Sequence, residues 1–205
     1  MSLINIVLGL HAVSGGVGLL TGLMAILLKK GSKNHRLSGT VFSISMALCS
    51  ISGIALAPLS GKYIFMAIGL FSGYMILTGY RAGKNLLLPP WLNRVFWFAG
   101  IASAIWMIAS LNTIFIVFGI ILGLFLFEDY FILFKQKAIT YKSRIRLHIG
   151  RIMGAMITAL TAFIVVNFSF ATSSNFLVLL FWLGPTIFGT SLIIFYSRKY
   201  REEKK

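Results

Sequence analysis

Acidic residues are nearly missing from this 205-residue chain: four Asp and Glu stand against nineteen Lys and Arg, for a formal net charge of +15. Cysteine occurs once, as Cys49, which excludes a disulfide framework and any zinc or iron–sulfur site built on thiolates. Charged residues of both signs make up only 11% of the chain, where soluble domains carry about 25%. What replaces them is apolar. Hydrophobic residues reach 58% and the mean hydropathy is +0.91, which rules out a soluble globular domain and a disordered chain alike.

The apolar residues fall into runs. A bilayer core about 30 Å thick takes roughly 20 residues of helix, and seven runs meet that length: Leu3–Leu28, Leu37–Pro58, Tyr63–Tyr80, Trp91–Leu111, Thr113–Phe134, Leu147–Phe170 and Phe176–Tyr196. Only Asn112 and Thr113 part the fourth from the fifth. A tight turn is required there, because a single helix of the combined length would far exceed the bilayer. The fold expected is all-α: a polytopic membrane protein with seven transmembrane helices in one domain over 1–205, closing in a short basic tail, 197–205. The opening Met1-Ser2-Leu3-Ile4-Asn5 has no basic stretch, and the first run is too long for a cleaved signal, so it is expected to remain.

The cations set a direction. Lys29, Lys30, Lys33 and Arg36 follow the first span; Arg81, Lys84 and Arg94 follow the third. Lys135, Lys137, Lys142, Arg144 and Arg146 follow the fifth, Arg151 lies just inside the sixth, and Arg198, Lys199, Arg201, Lys204 and Lys205 end the chain. With seven spans these eighteen share one side and Lys62 alone takes the other. Basic loops stay in the cytoplasm, so the N-terminus is expected outside and the C-terminus inside. The same distribution removes nucleic acid as a partner, since no recognition module accompanies the charge. It makes the bilayer, with anionic lipid headgroups along the cytoplasmic loops, the expected partner. Tyr80, Trp91, Tyr130, Tyr196 and Tyr200 near that side, and Tyr63 near the other, suit the membrane interfaces. Gly184-Pro185 interrupts the seventh span, where proline is expected to kink a helix.

Small residues then tell how such helices associate, since lipid tails are as apolar as leucine. Gly18/Gly22, Gly69/Gly73, Gly119/Gly123 and Gly150/Gly154 are each four apart on one helix face. They read as packing seams inside the bundle or as the interface of a homo-oligomer. A weak internal repeat is visible as well. Gly18…Gly22, a basic loop and His35-Arg36-Leu37-Ser38-Gly39 match Gly119…Gly123, a basic loop and His148-Ile149-Gly150-Arg151, consistent with a 3+1+3 parallel repeat.

Ionisable groups inside a bilayer are costly and face the bundle interior. His11, about 12 Å below the outer surface by helix rise, shares a face with Gly15, Gly18 and Gly22. Ser38, Ser45, Cys49 and Ser52 make a polar stripe with His35 on the second span, whose hydroxyls can also bond back to their own helix. The sixth carries His148, Arg151, Ala155, Thr158 and Ala162 on one face. Arg151, one turn inside the helix, either snorkels to the interface or meets an acid. The acids within reach are Glu128 and Asp129; at 100° per residue one turns inward, and Asp129, nearer the Gly119/Gly123 side, is then the expected partner of Arg151. His35, Arg36, Tyr80, Arg81, Asp129, His148 and Arg151 thus share one depth, as a candidate polar site or as a ring of interface anchors.

The series His11…Gly15…Gly22…Lys30-Gly31…His35-Arg36…Gly39, followed by His148…Arg151…Met153-Gly154-Ala155…Thr161-Ala162-Phe163, resembles a family of predicted bacterial membrane proteins known as a domain of unknown function. The resemblance covers spans one to three and five to six, implies an integral membrane fold in a bacterial inner membrane, and brings no activity with it. Four functions remain open. One is a transporter of a small solute or of protons using Asp129, Arg151 and His11. Another is a haem-binding redox protein with His35 and His148 as axial ligands. A third is a zinc hydrolase on His35, His148 and Asp129, and the last is a non-catalytic accessory subunit.

Overall fold

A computed structural model describes residues 2–86, 89–134, 139–168 and 174–201. Lys135, Lys137, Lys204 and Lys205, and the end of the sixth span at Phe170, lie outside the described residues. The rest form seven helices: α1 (Leu3–Leu27), α2 (Lys33–Ser60), α3 (Ile64–Lys84), α4 (Pro90–Ala109), α5 (Thr113–Leu133), α6 (Tyr141–Phe168) and α7 (Asn175–Arg198).

Local chemistry accounts for the breaks. The Ser32 hydroxyl accepts from the His35 amide at 3.2 Å and starts α2. Gly61 ends α2 with φ at 68°, a left-handed turn that a side chain would strain. Pro90 occupies the first turn of α4, where its missing N–H costs nothing. The turn expected between the fourth and fifth spans is there. Leu111 turns with φ 55°, and the Asn112 side chain caps α5 by accepting from the Ile114 and Phe115 amides at 3.0 and 3.3 Å. Helix α7 runs through Pro185, which cannot donate to the carbonyl one turn back.

Three boundaries differ from the hydropathy reading by a helical turn or more, one being the end of α3 at Lys84 rather than Tyr80. Helix α2 begins at Lys33 rather than Leu37, and α6 at Tyr141 rather than Leu147. Each has 28 residues, or about 42 Å at the helical rise, longer than the hydrocarbon layer. The additional turns carry Lys33 and Arg36 on α2, and Lys142, Arg144 and Arg146 on α6. Apolarity marks only the part of a helix that meets lipid, whereas the backbone hydrogen bonds continue past it.

Over the described residues, six of the seven helices are long and apolar enough to cross a membrane, and α3 is the helix outside that set. It is the central helix, lying between α2 and α6 and touching α4 and α5. A helix enclosed by protein has no need of an apolar outer face, and α3 accordingly carries Ser72, Tyr74 and Thr78. Helix α1 flanks α2, α7 flanks α6, and α4 and α5 form a hairpin. Trp97 Nε1 ties that hairpin together by donating to the Leu126 carbonyl at 2.8 Å. The pairing is uneven along the chain: α1 lies along α2, but α5 lies along α4 rather than along α6.

The core joins Phe42, Met46, Phe71, Met75, Met107, Leu122, Leu126 and Ala155. Around it stands an outer layer of open apolar side chains, with Leu27 at 77% and Phe176 at 71% exposure, as a membrane-embedded protein requires. Most of the glycine seams are filled from within. A Cβ on Gly18 or Gly22 would strike Met46 or Phe42, one on Gly69 the Ser50 carbonyl, one on Gly119 the Ala104 carbonyl, and one on Gly154 the Met75 methyl. Gly123 and Gly150 face nothing within 4 Å.

Side-chain contacts gather the basic loops at one end of the bundle. Lys30 Nζ sits 4.8 Å from the centre of the Tyr196 ring, joining the ends of α1 and α7. Arg144 donates to the Ala82 carbonyl at 3.4 Å, and Arg94 stands 5.7 Å from the Phe134 ring centre.

Candidate functional site

At that end the sixth helix buries a charge. Arg151 is 1% exposed, one of the largest fully enclosed side chains among the described residues. Its Nη1 donates to Asp129 Oδ2 and its Nη2 to Asp129 Oδ1, both at 3.0 Å, a two-pronged pairing that fixes the planes of both groups. Nη2 also donates to Glu128 Oε2 and to the Phe125 carbonyl, each at 3.1 Å. The guanidinium carbon lies 4.4 Å from the Phe125 ring centre, within cation–π range. The Tyr74 hydroxyl completes the network by donating to Asp129 Oδ2. Arg81 adds a second positive charge to the surroundings of Asp129, and its Nε is buried without a hydrogen-bond partner among the described residues.

Helix geometry explains the division between the acids. Glu128 and Asp129 are neighbours on α5 and point about 100° apart. Asp129 turns into the bundle with 13% of its side chain exposed, while Glu128 turns outward with 55% exposed and brings one oxygen back to Arg151. Close approach of α3 to α6 holds the arginine in place. A Cβ on Gly79 would lie 2.8 Å from Arg151 Cβ and 3.0 Å from the Ile152 amide nitrogen.

The candidate residues do not form one cluster. His148 Nδ1 donates to the Gly79 carbonyl at 2.9 Å, and its ring presses on Gly83, where a Cβ would come within 2.4 Å. His35 and Arg36 close the α1–α2 turn, donating to the Ala25 carbonyl at 2.9 Å and the Gly31 carbonyl at 3.0 Å. Tyr80 stays apart from the ion pair, beside Lys84 at 5.8 Å. The tyrosine that reaches Asp129 is Tyr74, which the sequence reading passed over. Its one signal is spacing: Tyr74 and Arg81 are seven residues apart, two helical turns on the same face.

Deeper in the bundle, His11 binds α1 to α2. Its Nδ1 donates to the Cys49 carbonyl at 3.0 Å and to Ser52 Oγ at 3.2 Å, far from Arg151 in the chain and in the bundle. Hydroxyls along the helices bond back to their own backbone, Ser52 to Leu48 at 2.8 Å and Thr158 to Gly154 at 2.9 Å. Ser38 and Ser45 are buried in α2. Among the described residues no group of three His, Cys, Asp or Glu is placed to hold a metal ion. His35, His148 and Asp129 therefore do not converge as a hydrolytic zinc site needs.

Beside the ion pair lies a cavity of about 270 Å³ between α5, α6 and α7. Glu128 and Arg151 form its charged wall, Arg146, Ser143 and Ser197 its polar rim, and Phe125, Phe131, Ile132, Leu147 and Ile193 its apolar sides. The buried arginine thus has one acid sealed in protein and the other open to a space that a small molecule can enter. Comparison with protein-family models, with curated proteins and with solved structures finds no match to this chain.

Proposed function

We propose that this protein is a seven-span carrier of a small solute, with the cargo, or a proton, received at Glu128 in the cavity between α5, α6 and α7. One observation carries the reading: an ion pair enclosed at the end of the bundle opens on one side, through Glu128, into a cavity of about 270 Å³. Intramembrane ionisable groups are expensive to keep, and they mark ligand and ion pathways. In this reading Asp129 holds Arg151, Arg151 holds one Glu128 oxygen, and the other oxygen faces the cargo.

The remaining features belong to the same proposal. The N-terminus lies outside and the C-terminus in the cytoplasm of a bacterial inner membrane, supported by the cation distribution and by the family resemblance. The 21 residues of α3, about 31 Å of helix, are long enough to cross with α2 and α6. The 3+1+3 repeat rests on the sequence match alone, and the pairing of α5 with α4 weighs against it. A homo-oligomer would have Gly123 to use, since Gly150 lines the cavity.

The test is thermal unfolding of the detergent-purified protein against a panel of small amines, amino acids and organic anions. A ligand at a hundred times its Kd raises stability by about 2.7 kcal/mol. A midpoint increase with at least one compound, lost in Glu128→Gln, is expected. No shift across the panel, or shifts unchanged in Glu128→Gln, would overturn the reading.

A second reading, a haem-binding redox protein, is favoured by one feature. His35 and His148 each give Nδ1 to a backbone carbonyl, the arrangement that orients an imidazole to ligate through Nε2. Purified protein with a Soret band that disappears in His148→Ala would support it; a haem-free spectrum after expression with added haem would remove it.

A further inference from the structure

The cavity differs from a site for a freely soluble molecule in what lines it and in where it lies. Its lining is largely apolar, with Phe125, Phe131, Ile132 and Ile193 among it, and Glu128, Arg146 and Arg151 bring the charge. It lies at the end of the bundle where the basic loops gather. Helices α5 and α6 are joined beside it by the Arg151 side chain rather than by close backbone packing, which leaves room for the cavity. At about 270 Å³ it falls just under the usual range of small-ligand sites, about 300–1,000 Å³. That is room for a headgroup and the first part of a chain.

The charges define the headgroup. Arg151 uses both terminal nitrogens within the protein and has little left for an anion. Glu128 is the reverse: 55% of its side chain is exposed, and only Oε2 is engaged, leaving a carboxylate oxygen to accept from a cation. Arg146, exposed and also lining the cavity, has no ion-pair partner among the described residues. One free negative group and one free positive group on a common cavity complement a zwitterion, with an ammonium on Glu128 and a phosphate on Arg146.

We propose that the cavity binds a zwitterionic amphiphile of the phosphoethanolamine type from the cytoplasmic leaflet, its ammonium on Glu128 and its phosphate on Arg146. The proposal rests on the carrier reading above and names its cargo class. Anionic lipid, which the basic loops attract everywhere, is disfavoured at this one point by the open Glu128 carboxylate.

The experiment is thermal unfolding of the full chain in an uncharged maltoside detergent with three probes added separately. They are lysophosphatidylethanolamine, lysophosphatidylglycerol with the same acyl chain, and free phosphoethanolamine. A saturable midpoint increase with the first probe is expected, with apparent affinity reduced roughly tenfold in Glu128→Gln and in Arg146→Gln. Both side chains are on the exposed rim, so the variants are expected to fold, and their midpoints without probe confirm it. An equal response to lysophosphatidylglycerol, or no loss of affinity in either variant, overturns the proposal. An equal response to free phosphoethanolamine that is lost in Glu128→Gln overturns the amphiphile and leaves the carrier reading standing. No response to any probe, together with a silent solute panel, removes both.

Discussion

Arg151→Leu is expected to destabilise the protein by about 3–5 kcal/mol, the cost of leaving a buried charge without its partner. The reason is asymmetric. Arg151 is 1% exposed and supplies Asp129 with two hydrogen bonds at 3.0 Å; without them Asp129, only 13% exposed, keeps the Tyr74 hydroxyl as its hydrogen-bond donor. Asp129→Asn is expected to cost less, because Arg151 retains Glu128 and the Phe125 carbonyl. The double variant Arg151→Leu/Asp129→Leu removes both charges and is expected to recover much of the loss, since apolar replacement of a whole buried pair is often neutral. Unfolding of the detergent-solubilised variants in an SDS titration measures all three, and with Asp129→Leu as the matching single variant the coupling between the two sites follows from the cycle. If the double variant loses the sum of the two single losses, the pair is not the unit described here.

The second large effect lies where α3 meets α6. Gly79→Ala places a Cβ 2.8 Å from Arg151 Cβ and 3.0 Å from the Ile152 nitrogen. Neither atom can rotate away, because one begins a side chain and the other is backbone. The helices must separate by several tenths of an ångström, at a cost of about 1–3 kcal/mol for overpacking. That movement also draws Arg151 from Asp129 and stretches the His148–Gly79 hydrogen bond. Gly16→Ala is the control: Gly16 has open space within 4 Å, and alanine there is expected to be neutral or to stabilise, being the better helix former by about 1 kcal/mol. Equal midpoints for the two variants in the same titration would show that the α3–α6 contact is not tight.

Much of the site could be read from residue type and spacing, and the parts that could not have identifiable causes. Composition narrows the partner of Arg151 to two acids, because a buried arginine needs an acid and only Glu128 and Asp129 lie within a span. Their assignment by the helical turn of 100° agrees with the observed contact. Glu128 escapes a choice between inward and outward, since its side chain is long enough to be exposed and still reach back to Arg151. Tyr74 was invisible because a tyrosine within an apolar run has the same composition signal wherever it points. His35 and Arg36 looked like members of the site at their depth, but nearby backbone carbonyls at the end of the first helix claimed both.

Taken alone, the order of residues determined that the chain is helical, where each apolar run lies, and that its cations collect in alternate connections. These follow from local chemistry: hydropathy over about 20 residues, capping at Ser32 and Asn112, and the conformational freedom of Gly61. Only the tertiary structure decided which helices are neighbours, that α3 is enclosed between α2 and α6, and that α5 meets α6 through one arginine while leaving a cavity beside it. Apolar helices are interchangeable as far as lipid is concerned. Their arrangement is therefore set by a few glycine contacts and buried polar groups whose partners lie tens of residues away in the chain.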